Sequence, residues 1–185
     1  VLVLAADGSV SSNILGIKGN ATSNGSFRVF IVTFNGSGSV IGTYILQTSN
    51  NGSSWTRGAM VTPDGPTGDN GFDWSQHNLS KLYVGYGDQP GSAATVSRSD
   101  DGGSTWALQN VLGCGNSYIY DLLIPYNDNL DDSIVYAVEN GACPRVWKST
   151  NSGVSFSDIS PTGFSTGATV NKRYYVHAYT QDRQI

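Results

Sequence analysis

Ser99-Asp100-Asp101-Gly102-Gly103-Ser104-Thr105-Trp106 is the stretch on which the fold turns. Its pattern is Ser-x-Asp-x-Gly-x-Thr-Trp. Thr48 to Trp55 repeats it as Thr-x-Asn-x-Gly-x-Ser-Trp, and Ser149 to Phe156 as Ser-x-Asn-x-Gly-x-Ser-Phe. The copies start at 48, 99 and 149, so they are spaced by 51 and 50 residues. Near-equal periods of this length mark stacked supersecondary units. Each copy joins two short apolar or alternating runs, which is a hairpin signal. Asn50, Asp101 and Asn151 can accept backbone N–H groups across their own turns. Gly52, Gly103 and Gly153 supply a left-handed backbone that other residues reach at a cost. Thr48, Ser99 and Ser149 can tie the turn ends together. Trp55, Trp106 and Phe156 give each turn an apolar anchor on the sheet below.

Outward from these turns, the chain reads as short strands. The first unit takes Asn13 to Ile17, Phe27 to Phe34, Val40 to Gln47 and Ser54 to Met60. The second takes Phe72 to Gln76, Lys81 to Tyr86, Ala93 to Ser99 and Thr105 to Asn110. The third takes Tyr118 to Ile124, Ser133 to Glu139, Arg145 to Ser149 and Val154 to Ile159. Ala168 to Val170 and Arg173 to Tyr179 begin a fourth, and Val1 to Ala6 is a further apolar run. Arg28 to Phe34 is too apolar for a strand with one wet face, so it should be buried on both.

The three turns resemble the Asp-boxes, or BNR repeats, of sialidases, xyloglucanase-type glycosidases, sortilin-like receptors and photosystem assembly factors. The resemblance implies an all-β β-propeller of four-stranded antiparallel blades, with each box linking a blade's third and fourth strands on the rim. It places blade one at about 11–60, blade two at about 70–110, blade three at about 116–160 and a partial fourth at about 164–185. About three and a half blades do not close a ring. The chain is therefore expected to be part of a larger propeller, or to be completed by another copy of itself. The box serves enzymes, receptors and scaffolds alike, so it speaks for fold and not for activity.

Composition bounds the function classes. Gly accounts for 23 of 185 residues, and charged residues for 13%, about half the usual ~25%. Net charge is −4, with a pI of 4.8. No basic run provides a nucleic-acid footprint, and no apolar run approaches the ~20 residues of a membrane span. Cys114 and Cys143 are too far apart in sequence for a C-x-x-C metal site. They are expected to form a disulfide, in keeping with an extracellular or cell-surface composition. Placed at the starts of strands two positions apart, they need loops that lean together to come within about 7 Å. Sequons at Asn20, Asn24, Asn35, Asn51 and Asn78 are candidate glycosylation sites.

Chemistry is sparse. A sialidase site needs an arginine triad, and none of Arg28, Arg57, Arg98, Arg145, Arg173 and Arg183 stands in a first-strand context of that kind. Inverting glycosidases need two carboxylates about 6.5–9.5 Å apart. Asp73 and Asp121, in or beside the first strands of units two and three, are the candidate pair. Trp74, Tyr118 and Tyr120 are candidate sugar-stacking rings, and Glu139 is the sole Glu. His77 and His177 have no partner at metal-ligand spacing. Asp100 and Asp101 would be needed for a calcium loop, but Asn50 and Asn151 remove the charge from the other copies. Asn35 to Gly42 is Gly-rich without a following helix, so it reads as a hairpin and not as a phosphate loop. No metal and no cofactor is expected. The expectation is a non-enzymatic binding or structural module for a glycan or protein ligand. The alternatives are a glycoside hydrolase with catalytic residues partly outside the chain, and a subunit of a surface assembly or filament.

Overall fold

The structure, a computed structural model, describes residues 12–21, 27–35, 42–48, 50–62, 71–75, 78–87, 93–125, 132–142 and 144–162. These residues form three four-stranded antiparallel sheets, with no helix among them. The first sheet holds β1 (Ser12–Ala21), β2 (Phe27–Asn35), β3 (Gly42–Thr48) and β4 (Thr56–Thr62). The second holds β5 (Phe72–Trp74), β6 (Leu82–Tyr86), β7 (Ala93–Ser99) and β8 (Leu108–Gly115). The third holds β9 (Ser117–Leu123), β10 (Val135–Gly141), β11 (Arg145–Ser149) and β12 (Ser157–Asp158). In each sheet the strands pair in chain order, so each is an up-and-down meander.

Alternation along the middle strands makes the core. On β6, Leu82 and Val84 pack toward the first sheet with Ile45, Phe72 and Trp74. Tyr83, between them, faces the other way and packs with Ile119, Leu122, Val135 and Ala137 of the third sheet. β6 is thus buried on both faces, which a strand manages only between two neighbouring sheets. The same property was expected of Arg28 to Phe34; the side chains of that stretch lie outside the described residues. So do the runs Val1 to Ala6 and Ala168 to Tyr179, the histidines His77 and His177, Cys143, and most of Asn35 to Gly42.

The fourth strands begin later than the sequence indicates. β4 starts at Thr56 and β8 at Leu108, after the turn aromatics, because Trp55 and Trp106 belong to the turns. β8 then runs to Gly115, and only Asn116, at φ 63°, separates it from β9. Cys114 therefore lies within β8 and not in a loop.

Candidate functional site

The three turns share one hydrogen-bond circuit. In the second, Ser99 Oγ donates to Asp101 Oδ1 at 2.8 Å and accepts the Gly103 N–H at 2.8 Å. Asp101 Oδ1 also accepts Thr105 N–H at 2.8 Å, and Oδ2 accepts the Thr105 hydroxyl at 2.7 Å. These donors, the Thr105 hydroxyl first, hold the Asp101 carboxyl at about 2, below its ordinary 3.8. In the first turn, Thr48 Oγ1 donates to Asn50 Oδ1 at 2.8 Å, and Asn50 Oδ1 accepts Ser54 N–H at 2.9 Å. The third repeats this with Ser149, Asn151 and Ser155. Two successive residues in each turn adopt positive φ: Asn51 and Gly52, Gly102 and Gly103, Ser152 and Gly153. Sequence reading anticipates only the glycine in the second of these places.

The second and third turns are each seated on the preceding sheet. Gln47, just before the first turn, donates through Nε2 to Gly102 O at 3.2 Å. Arg98, just before the second, donates through NH1 to Ser152 O at 2.5 Å. The two carbonyls occupy the same place in their turns, three residues after the start. Tyr83 OH, opposite Arg98 across the β6–β7 pair, also donates to Ser152 O, at 3.1 Å. Burial pushes the Tyr83 hydroxyl well above its usual range, against the lowering effect of the Arg98 cation, so it stays a donor into strong alkali. One residue further on, Gly103 O accepts Ala59 N–H at 2.7 Å and Gly153 O accepts Asn110 Nδ2–H at 2.5 Å. Ala59 and Asn110 each stand eleven residues after the start of their own sheet's turn. Trp106 Nε1 returns a bond to Ala59 O at 3.2 Å.

Asp73, on β5, is 5% exposed, and its Oδ2 accepts the Ile124 N–H at 2.6 Å, tying the second sheet to the third. Asp121, on β9, is half-buried; its Oδ1 accepts the N–H of the next residue, Leu122, at 3.0 Å. The structure sets β5 and β9 side by side, with Gly71 N–H bonded to Ile119 O at 3.0 Å. Trp74 is 1% exposed, and a ring so covered presents no face to a sugar. Tyr118 and Tyr120 are half-buried, and Tyr118 OH accepts from Asn140 Nδ2 at 3.1 Å.

Glu139, on β10, is fully buried. Its Oε1 accepts the Ser117 hydroxyl at 2.5 Å and its Oε2 accepts Trp147 Nε1–H at 2.8 Å. Gly113 (φ 65°) lies against this carboxylate, and a Cβ there would collide with it. In the sequence Glu139 stands out only as the sole Glu. A lone carboxylate in an apolar strand, followed eight residues later by Trp147, is the signal that was available.

Arg98 also grips Asp100 Oδ2 at 2.8 Å, and Arg145 pairs with Asp158 at 3.3 Å. The Asp158 carboxyl is held low, chiefly by Ser160. No group of His, Cys, Asp and Glu among the described residues is arranged to hold a metal ion. Among the described residues no helix is long and apolar enough to cross a membrane. Of the sequons, Asn51 and Asn78 are exposed, and Asn78 Oδ1 accepts Ser80 N–H at 3.1 Å. Asn20 and Asn35 lie in β1 and β2, and Asn24 lies outside the described residues.

No family model and no curated protein matches the chain. Among solved structures it is similar to the GH74 xyloglucanase from Xanthomonas campestris, with 15% identity and a TM-score of 0.51 over 76% of this chain. The likeness is one of fold. This chain spans 22% of that structure's length.

Proposed function

We propose that the chain is a segment of an Asp-box β-propeller that works outside the cell as a binding or structural module for a glycan or protein ligand. The three sheets are read as its blades. The observation that carries this reading is how the carboxylates are used. A general acid must reach a sugar oxygen in an open cleft. Asp73 is covered and bonded to the Ile124 backbone. Glu139 is enclosed by Ser117 and Trp147. Arg98 and Arg145 are committed to Ser152, Asp100 and Asp158. The half-buried Tyr118 and Tyr120 are the rings we read as stacking surfaces.

A second reading is a glycoside hydrolase whose catalytic residues lie partly beyond this segment; the xyloglucanase likeness favours it. The two separate in a paired assay. Binding and hydrolysis of xyloglucan oligosaccharides and sialosides are measured by calorimetry and product analysis, with Asp73→Asn and Asp121→Asn alongside. Glycan binding without turnover, weakened by Tyr120→Ala, is expected. Turnover abolished by either Asn variant overturns the proposal. The extracellular setting has its own test in a Cys114–Cys143 bridge. Intact mass of native-source protein after alkylation without reductant should show no alkylated thiol, and two modified cysteines would refute it.

A further inference from the structure

We propose that Asn78 is a residue of this chain that carries an N-linked glycan, and that the turn Asn78-Leu79-Ser80 presents it. This rests on the extracellular half of the function proposed above. A glycan is bulky, so the folded chain must leave its Asn-x-Ser/Thr triplet on a surface turn. Five such triplets occur, at Asn20, Asn24, Asn35, Asn51 and Asn78. Asn20 and Asn35 stand inside β1 and β2, with Arg28 and Ser12 as their cross-strand partners. Asn24 lies outside the described residues. Asn51 is exposed, but it and Gly52 are both at positive φ. The Thr48 hydroxyl holds the Gly52 N–H at 3.1 Å, so that triplet is wound into the first turn.

Asn78 is placed differently. It is exposed, in the connection between β5 and β6. Its backbone N–H donates to Ser75 Oγ at 2.7 Å, and its carbonyl accepts Lys81 N–H at 2.9 Å. Its Oδ1 accepts Ser80 N–H at 3.1 Å, an Asx-turn in which the side-chain oxygen stands in for a backbone carbonyl. Among the described residues Asn78 Nδ2 makes no hydrogen bond, and neither does Ser80 Oγ, the hydroxyl that completes the triplet. Leu79 between them packs against the cluster of Trp74, Leu82 and Val84 and pins the turn from below. The turn is thus fixed, while the two groups the modification needs stay uncommitted. Transfer forms a bond between Nδ2 and the anomeric carbon of an oligosaccharide carried on a lipid pyrophosphate. The bond from that carbon to the pyrophosphate oxygen breaks, its electron pair leaves with the lipid pyrophosphate, and Nδ2 gives up one of its two protons. The bonds made by the Asn78 N–H, carbonyl and Oδ1 all survive, so the glycan costs the fold none of them. Ser80 O accepts Gly102 N–H at 2.8 Å, which sets the glycan beside the second turn.

Peptide mapping of the native-source protein tests this, before and after an amidase that releases N-glycans and leaves Asp in place of the carrier Asn. An oligosaccharide at position 78 is expected, with the new Asp there after release. Ser80→Ala, made in the same host, should lose that oligosaccharide, and Ser80→Thr should keep it. Neither change touches the Ser80 N–H or carbonyl, so the urea midpoint should match that of the native chain stripped of its glycan. Asn78→Gln serves if Ser80→Ala does not fold. The state of Cys114 and Cys143 in the same sample separates two failures. A bare Asn78 in chains whose cysteines are bridged overturns this proposal and leaves the extracellular reading standing. A bare Asn78 in chains with two free thiols overturns both. An oligosaccharide that survives at position 78 in Ser80→Ala, or that is found on another Asn in its place, also overturns the assignment.

Discussion

Asp101 and its counterparts Asn50 and Asn151 do the same job with opposite proton routes. The carboxylate accepts from the Thr105 hydroxyl, whereas the two amides donate through Nδ2 to Ser54 and Ser155 Oγ, at 2.7 and 2.9 Å. A hydroxyl serves either route because it both donates and accepts. Asp101→Asn should therefore leave the urea midpoint nearly unchanged at neutral pH, while Asp101→Ala, which removes the acceptors for Ser99 and Thr105, should lower it. The carboxyl titrates at about 2 in the folded chain against an ordinary 3.8. Folding therefore favours the charged form. That stabilisation is complete above the unfolded value and disappears as pH falls through about 2. The midpoint of the native chain should fall more between about pH 4 and 2 than that of Asp101→Asn, by denaturant titration at each pH. Trp106→Ala should cost about 2 kcal/mol, less than the 3–5 of a fully enclosed ring, because Trp106 is half-buried.

At the level of elements, the seat on β6 and β7 is the unit that joins sheets. Tyr83→Phe removes one donor to Ser152 O and should cost about 1 kcal/mol; Arg98→Ala should cost a similar amount. The two share one acceptor, so a double-mutant cycle should show that they are not additive. Glu139→Ala should cost about 3 kcal/mol or more, since it strands the Ser117 and Trp147 donors in a closed site, read from the shift in denaturant midpoint. How much of this was legible differs element by element. The three turns and the strands around them show in the sequence because a turn is local: its Asp or Asn, Gly and aromatic sit within eight residues. The seats do not, because Tyr83, Arg98 and Ser152 meet only after β6, β7 and the third turn are packed. The equal offsets of Ala59 and Asn110 from the starts of their turns could have pointed there. The candidate pair Asp73 and Asp121 illustrates the opposite limit. Sequence placed both on first strands, but nothing in it told that Asp73 would spend an oxygen on the Ile124 amide.

For the whole molecule, far-ultraviolet circular dichroism should show β-structure without helical minima, and helix above about a fifth of the residues would contradict the three-sheet architecture. The direction of the seats carries a further consequence. Gln47 and Ala59 precede the turn they hold, and so do Tyr83, Arg98 and Asn110. In every case the grip is made earlier in the chain than the part it grips. A ribosome releases the chain in that order. Each sheet can thus be finished before the next turn emerges, and the new turn meets a surface already shaped for it. The array grows like a wall whose courses are laid from one end, each finished course waiting only for the next.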